Sequence, residues 1–564
     1  MDEKGRRKVM RRVIGLCATA GALLLAACGD RSAEWDAPQS VLFKGELRDA
    51  AVLIDNSLNR GLVITAGSDQ KLEFGVVPLG KRIASATTSP DRERLFIVSQ
   101  GDEVLRRPTD EGPALTVLQA GEPLKPTRYE LPFALTALAL DPTGRFAIVY
   151  AGDGSGGAFI KNPNELIVVD LAAPPSAGNP SRRSLPSHLG GSPKRLTFTP
   201  PLHLPAGDRR LLVVETDRDV MLLDLERPDR PEVSVPVKDP RTDARALSPA
   251  GISVDPGRAG SSPRYPSIAV RTNADDNVII YTLGPSGREP PDNDFGATPN
   301  AAVVGGVPSD MAFVNTNQGP RLAVLVPAPT QSGFLIDVSN SATLSAKLAA
   351  GYQSLSPVAG FASDLETSGD QLLLWSTGGG VSSVAFWDLD KLPDVPAGSS
   401  IDTLKAVETI TLNGTVASVV STPGQNLKVV ETTSRALYVL DPGQHQTRAL
   451  DAVANVELRY SRDGMRAWAF APSQDDLAQI MLPGAEIATV KVERPVADVV
   501  EIEGKDGVRA LLAFHTDGHS LSTGNTASVS GQSASIGVTV FDALSPSVLT
   551  SRSYSAILLE GLAR

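Results

Sequence analysis

Ala436-Leu437-Tyr438-Val439-Leu440-Asp441-Pro442-Gly443 is an apolar run closed by a turn, and the stretch it opens, as far as Phe470, is repeated through most of the chain. After a polar connection, Val456-Glu457-Leu458-Arg459-Tyr460 alternates apolar with polar residues, the pattern of a half-buried strand. Ser461-Arg462-Asp463-Gly464 supplies a turn, and Ala467-Trp468-Ala469-Phe470 begins the next strand. Such an antiparallel unit cannot bury its faces alone and must stack on neighbours.

Working outward, the most regular mark is the apolar run that ends in Asp. It recurs at Val168-Val169-Asp170, Leu222-Leu223-Asp224, Leu335-Ile336-Asp337, Phe386-Trp387-Asp388, Val439-Leu440-Asp441 and Val540-Phe541-Asp542. The spacings are 54, 113, 51, 53 and 101 residues, so two gaps each have room for a degenerate copy. Val278-Ile279-Ile280-Tyr281 fills the first and Ile480-Met481-Leu482 the second. A period near fifty residues suits a propeller blade rather than a helical hairpin. The Asp carboxylate can accept from N–H groups just downstream and close the strand in an Asx turn.

The second mark is a polar turn leading into an apolar strand. Ser89-Pro90-Asp91 precedes Arg94–Val98, Asp141-Pro142-Thr143-Gly144 precedes Arg145–Tyr150, and Ser461–Gly464 precedes the Trp468 strand. Proline presets φ at the first corner and glycine takes positive φ at the last. No window of helical length holds a period near 3.6, so the body reads as all-β. The 50 Gly and 43 Pro supply the many turns this needs, and 41% hydrophobic residues supply the core.

Taken together, the strand ending in Asp and the Ser-Pro-Asp-Gly type of turn resemble the YVTN and lactonase-like β-propeller repeats, from about Leu62 to Leu544. The tetrapeptide that names the YVTN group is absent; Ala469-Phe470-Ala471-Pro472 and Phe96-Ile97-Val98-Ser99 stand in its place. The resemblance implies a β-propeller of four-stranded antiparallel blades. The Asp mark and its degenerate copies give eight strong repeat units between about 134 and 545. Gly61–Val77 and Arg94–Arg106 add two shorter hairpins. Because ten blades would exceed the usual range of about 4 to 8, the expectation is that one or two hairpins are accessory or that N- and C-terminal strands share a blade, with Ser551–Leu559 as the closing strand. Two smaller domains are the alternative. Pro108–Pro132, Ala172–Ser192 and Gly284–Asn300 read as polar insertions projecting from a rim.

The N-terminus carries an address. Lys4, Arg6, Arg7, Lys8, Arg11 and Arg12 precede an apolar run from Val13 to Ala27, which at fifteen residues falls short of the roughly 20 that a spanning helix needs. The boundary Leu25-Ala26-Ala27-Cys28 resembles the lipobox of bacterial lipoproteins. By that resemblance residues 1–27 are a signal peptide, and Cys28 receives diacylglycerol, becomes the mature N-terminus and is acylated, with palmitate the expected chain. Residues 28–45 are then lipidated N-terminus and tether, and 46–564 the propeller domain. Gly29 rather than Asp follows the cysteine, which in the enterobacterial rule points to the outer membrane, facing the periplasm or the cell surface. Cys17 would leave with the signal, so the mature chain could form no intramolecular disulfide. The formal charge is −11, and −15 without the signal, which disfavours nucleic acid as a partner.

Several catalytic and metal motifs have their spacing but not their setting. His515-Thr516-Asp517-Gly518-His519 could ligate Zn²⁺, but Asp-Gly reads as a hairpin turn. Gly152–Gly157 has GxGxxG spacing, yet a strand rather than a helix follows it. Gly75–Lys81 mimics a P-loop, with Arg82 where the Mg²⁺-binding hydroxyl belongs. Ser461–Trp468 resembles the structural Asp-box of sialidase-type propellers, with its glycine one position early. Asn273–Asn277 and Asp292–Asp294 read as solvated turns rather than Ca²⁺ loops. No GxSxG elbow occurs. No catalytic, cofactor or metal residue is therefore assigned. The expected role is a membrane-anchored envelope lipoprotein whose propeller binds proteins or envelope polymers without catalysis. The alternative is a lactonase- or hydrolase-like enzyme with its site at the central channel.

Overall fold

The computed structural model describes residues 41–554, apart from 68–70, 153–162, 186–190, 238–246, 260–263, 289–291, 328–331, 339–351, 356–363, 378–381, 393–402, 405, 451–455, 472–473, 506, 516–536 and 548. Cys28, His519 and most of the GxGxxG loop lie outside the described residues.

Each fifty-residue unit becomes one antiparallel sheet with its strands in chain order. Among the described residues there are ten such sheets: blades 1 to 10 at 41–78, 83–130, 137–184, 193–236, 249–303, 310–355, 364–411, 416–449, 457–491 and 496–554. A two-stranded hairpin, Leu202–Leu204 with Gly207–Arg209, is inserted in blade 4, and Thr403–Leu404 adds a parallel fifth strand to blade 6. The only helix among the described residues is a single turn, Leu389–Lys391. The first strands of successive blades come closest together and form the hub.

The core is ten interfaces, one between each pair of neighbouring blades. Leu53, Leu62 and Ile64 of blade 1 pack against Leu512, Phe514 and Val540 of blade 10, and this cluster closes the ring. The other nine clusters join blades 1 with 2 through 9 with 10 in order. The described residues form a ten-bladed β-propeller.

Two expectations about the blade count are corrected. Gly61–Val77 and Arg94–Arg106 are not accessory; they contain strands of the complete blades 1 and 2. Both blades escape the Asp mark because the third strand ends differently: Gln119 closes it in blade 2, and in blade 1 the Asx turn sits one strand early, where Asp55 accepts from the Ser57 amide at 3.0 Å. Among the described residues no strand is shared between the termini, and 555–559 of the expected closing strand lie outside them. Arg552–Tyr554 is the outer strand of blade 10, and the ring closes by side-chain packing, with the Leu72 amide donating to the Tyr554 hydroxyl at 3.1 Å and Phe74 edge-on to that ring. The first strand of blade 1 already begins at Val41.

The supposed insertions also resolve into strands. Pro108–Pro132 contains Ala114–Gln119 and Thr127–Glu130, Ala172–Ser192 contains Ser181–Ser184, and Gly284–Asn300 extends a long hairpin through Phe295–Val303. Three of these four are outermost strands. They are short or polar because one edge and much of their surface face water, which erases the apolar signature of a strand.

Both sequence marks have the local chemistry expected of them. The six Asp residues all close third strands; Asp170, Asp224, Asp441 and Asp542 accept from amides two or three residues on, at 2.8–3.2 Å. The polar turns link first to second strands. In the Asp-box-like turn, Ser461 Oγ donates to Asp463 at 2.7 Å and accepts from the Arg466 amide at 3.0 Å, with Gly464 at φ +63°. Ser89 and Asp91 repeat this pattern, with the Arg94 amide donating to Ser89 Oγ at 2.9 Å.

Burial alone would raise the Asp463 carboxyl, but the Ser461 hydroxyl, the Arg509 guanidinium at 2.7 Å and the Met465 amide hold it at about 2, below its usual 3.8. A depressed carboxylate stabilises the fold above its unfolded pKa and loses that contribution as pH falls through the folded value. Because Asp463 is about a third exposed, solvent screening reduces the effect to about 1 kcal/mol. Asp463→Asn should therefore flatten the loss of stability between pH 4 and pH 2, measured by urea unfolding at each pH. Leu512→Ala, at the fully buried ring closure, should cost about 2–5 kcal/mol. Leu549→Ala, at a side chain that is 96% exposed, should leave the urea midpoint unchanged.

Candidate functional site

The ring brings charged side chains from distant parts of the chain to the hub at two places. The first joins blades 9, 10, 1 and 2. Lys44 Nζ lies 2.5 Å from Asp498, and both side chains are almost wholly buried. Asp498 also accepts from Arg459 Nε at 3.0 Å and from the Val499 amide at 2.8 Å, so each of its oxygens is satisfied. Glu46 lies 3.1 Å from Lys44 and 3.5 Å from Arg92. Burial alone would raise the Glu46 carboxyl, but these two cations outweigh it and hold it below the ordinary range. Arg92, in a turn of blade 2, also reaches the Tyr460 carbonyl of blade 9 at 3.4 Å, bridging past blades 10 and 1. With Glu457 3.7 Å from Arg459, the cluster matches three cations with three carboxylates.

The second place is a cavity of about 300 Å³ in the hub wall of blades 4, 5 and 6, lined among others by Arg195, Glu215, Gly251, Arg271 and Asp310. Paired first and second strands build it. In blade 4 Arg195 stands opposite Glu215, just inside a β-bulge between Pro193 and Arg195. In blade 5 Gly251 stands opposite Arg271, just inside a β-bulge between Pro249 and Gly251. Arg195 and Glu215 form a bidentate pair, with both N–O distances 2.5 Å. Arg271 instead lies across Gly251, where a Cβ would sit 2.7 Å from its Nε, and donates to the Pro308 carbonyl at 3.2 Å. Burial pulls the Arg271 guanidinium below its ordinary pKa. Burial likewise pushes the Asp310 carboxyl up, against the amides of Leu365 and Met311 that donate to it at 3.0 and 2.9 Å.

The motifs singled out in the sequence do not come together at either place. His515 is buried, with Nδ1 3.1 Å from the Pro495 carbonyl and Nε2 2.7 Å from Thr539 Oγ1, so both ring nitrogens are engaged by the protein. Among the described residues no group of three His, Cys, Asp or Glu is placed to hold a metal. The GxGxxG loop follows Phe146–Tyr150 and precedes its antiparallel partner Glu165–Asp170, and the P-loop mimic runs through the strand Leu72–Pro78. Asp275 accepts from the Asp276 amide and the Asn277 side chain, while Asp294 is bound by Arg209 at 2.6 Å and by Arg227 at 3.4 Å. The hub residues were missed because they are single charges on strands from different blades. The one local signal is a basic residue on a first strand, as at Lys44 and Arg195.

No family model matches the sequence, and no curated protein matches it. Among solved structures, the chain is similar to the dihydro-heme d1 dehydrogenase NirN in complex with DHE, at 12% identity over 80% of this chain and 74% of that one, with a TM-score of 0.36. It is similar also to a eukaryotic initiation factor, at 11% identity over 80% and 96% with a TM-score of 0.42. A third likeness is to the Dos1 propeller, at 11% identity over 69% and 90% with a TM-score of 0.35. Likeness of this degree speaks to neither substrate nor partner.

Lys44→Met should cost about 3–5 kcal/mol, because Asp498 keeps its charge without its closest cation. Adding Asp498→Leu should restore much of that loss. Comparison of urea unfolding for the single and double variants checks both.

Proposed function

We propose that the protein is an envelope lipoprotein, anchored by lipid on Cys28, whose ten-bladed propeller is a binding module for proteins or envelope polymers rather than an enzyme. The observation that carries the binding reading is how the hub carboxylates are used. Asp498, Glu46 and Glu215 are each held by cations, and Asp310 accepts two backbone amides. A hydrolase needs a carboxylate or imidazole poised to move a proton at a reacting group. Here these groups tie blades together or close a strand pair.

The address rests on the basic cluster, the short apolar run and Leu25-Ala26-Ala27-Cys28. Several acyl chains at about 0.8 kcal/mol per buried methylene make a firm anchor. A large acidic body on such a tether is suited to scanning neighbouring envelope components, and its charge disfavours nucleic acid as a partner. The lactonase- or hydrolase-like alternative has no specific observation in its favour and depends on fold analogy.

Cys28→Ala should abolish incorporation of labelled palmitate and leave the precursor uncut; normal labelling of that variant would refute the anchor. Mild crosslinking in native envelopes, then capture of the tagged protein and mass spectrometry, should return one stoichiometric partner. A clean bait together with ester or lactone hydrolysis by the purified protein would replace the binding reading with the enzyme.

A further inference from the structure

We infer that the hub cavity between blades 4, 5 and 6 is a carboxylate-binding site, in which Arg271 receives a single acidic group of a sugar acid or an acidic side chain. The inference deepens the binding-module reading and rests on it.

The two arginines of this cavity differ in how they are used. Arg195 is spent: its guanidinium grips Glu215 through two parallel hydrogen bonds. Arg271 has no carboxylate within ion-pair distance among the described residues, and its one hydrogen bond goes to the Pro308 carbonyl. A guanidinium has five N–H donors in a planar fork, and such a fork matches a carboxylate bidentately. The other four donors of Arg271 have no protein partner among the described residues.

The chain has gone to some length to place this cation. Arg271 belongs to the second strand of blade 5, Ser267–Thr272, one strand removed from the hub. Its partner on the first strand is Gly251, just inside the bulge after Pro249, and a Cβ there would collide with the guanidinium at 2.7–3.2 Å. Gly251 is therefore a cradle. Gly251 has no positive φ to explain it, so close approach by Arg271 is the reason for a glycine here.

The flanking groups select the ligand. Glu215 and Asp310 line the same cavity, and Asp310 and Asp364 are close enough for Arg271 to feel their charge. A phosphate dianion would be repelled by these carboxylates, whereas a monoanionic carboxylate is repelled less and still fills the fork. Thr197 and Met311 complete the wall with a hydroxyl and an apolar surface. A volume of about 300 Å³ is at the small end of ligand pockets, enough for one sugar or side chain.

The test is isothermal titration of the purified full-length chain with D-galacturonate, acetate and inorganic phosphate. Galacturonate should bind one per chain, and Arg271→Gln should weaken it at least tenfold with an unchanged melting temperature. Arg271→Lys, which keeps the charge and loses the fork, should also weaken it, as should Gly251→Leu by displacing the guanidinium. Absence of galacturonate binding, equal binding by Arg271→Gln, or phosphate binding as tightly would each overturn the inference. It fails separately from the module: an envelope partner captured equally by wild type and Arg271→Gln, without galacturonate binding, removes this site and keeps the module. Galacturonate binding by a protein that hydrolyses esters keeps the site and removes the module.

Discussion

A small sheet that is apolar on both faces cannot remain in water, and everything else in this molecule follows from that. In each blade the two middle strands are nearly continuous runs of buried residues, such as Leu372-Leu373-Leu374 in blade 7 and Leu511-Leu512-Ala513-Phe514 in blade 10. Alternate residues point to opposite faces, so each blade needs a neighbour on both sides. Burying one leucine or valine contributes roughly 1.5–3 kcal/mol, and the interfaces contain from 8 to 15 buried apolar side chains each. A linear stack would leave two apolar faces bare. The cluster between blades 1 and 10 covers both at once.

Closure by side-chain contacts puts a burden on the seam, since among the described residues no shared strand holds blade 10 to blade 1. Polar contacts there are correspondingly dense. Arg48 pairs with Glu503 of blade 10 and Glu93 of blade 2, the Glu503 amide donates to the Arg48 carbonyl, and Lys44 is sunk against Asp498. A buried pair of this kind is weak evidence of stability, because desolvation offsets most of the Coulomb gain. Its directional hydrogen bonds nevertheless resist sliding of one blade along the other, which apolar contacts do not.

How much of this could be read beforehand depended on where in a blade a residue sits. Third strands announce themselves, because burial on both faces demands an apolar run and the exit turn demands an Asp, as at Val168-Val169-Asp170. The turns between first and second strands are legible for the same reason, with Ser461, Asp463 and Gly464 each meeting a specific backbone need. Outer strands are not legible: Ser181-Arg182-Arg183-Ser184 has one neighbour and a solvated face, and its sequence is that of a loop. Blades 1 and 2 fell between these cases, since Asp55 and Gln119 close their strands in ways the repeat does not predict.

The hub was illegible for a different reason. Lys44 and Asp498 are 454 positions apart, and only ring closure makes them neighbours. Gly251 and Arg271 are nearer in sequence, but only the register of the first two strands of blade 5 sets one opposite the other. A side chain at 251 would place its Cβ 2.7 Å from the guanidinium Nε. A bulge precedes Gly251, and the same kind of bulge enters the first strands of blades 1, 2, 4, 8 and 10. In blades 10 and 4 the first residue past the bulge is charged and matched, Asp498 by Lys44 and Arg195 by Glu215. In blade 5 that residue is Gly251, and the cation on the neighbouring strand, Arg271, lies across it with a backbone carbonyl as its hydrogen-bond partner.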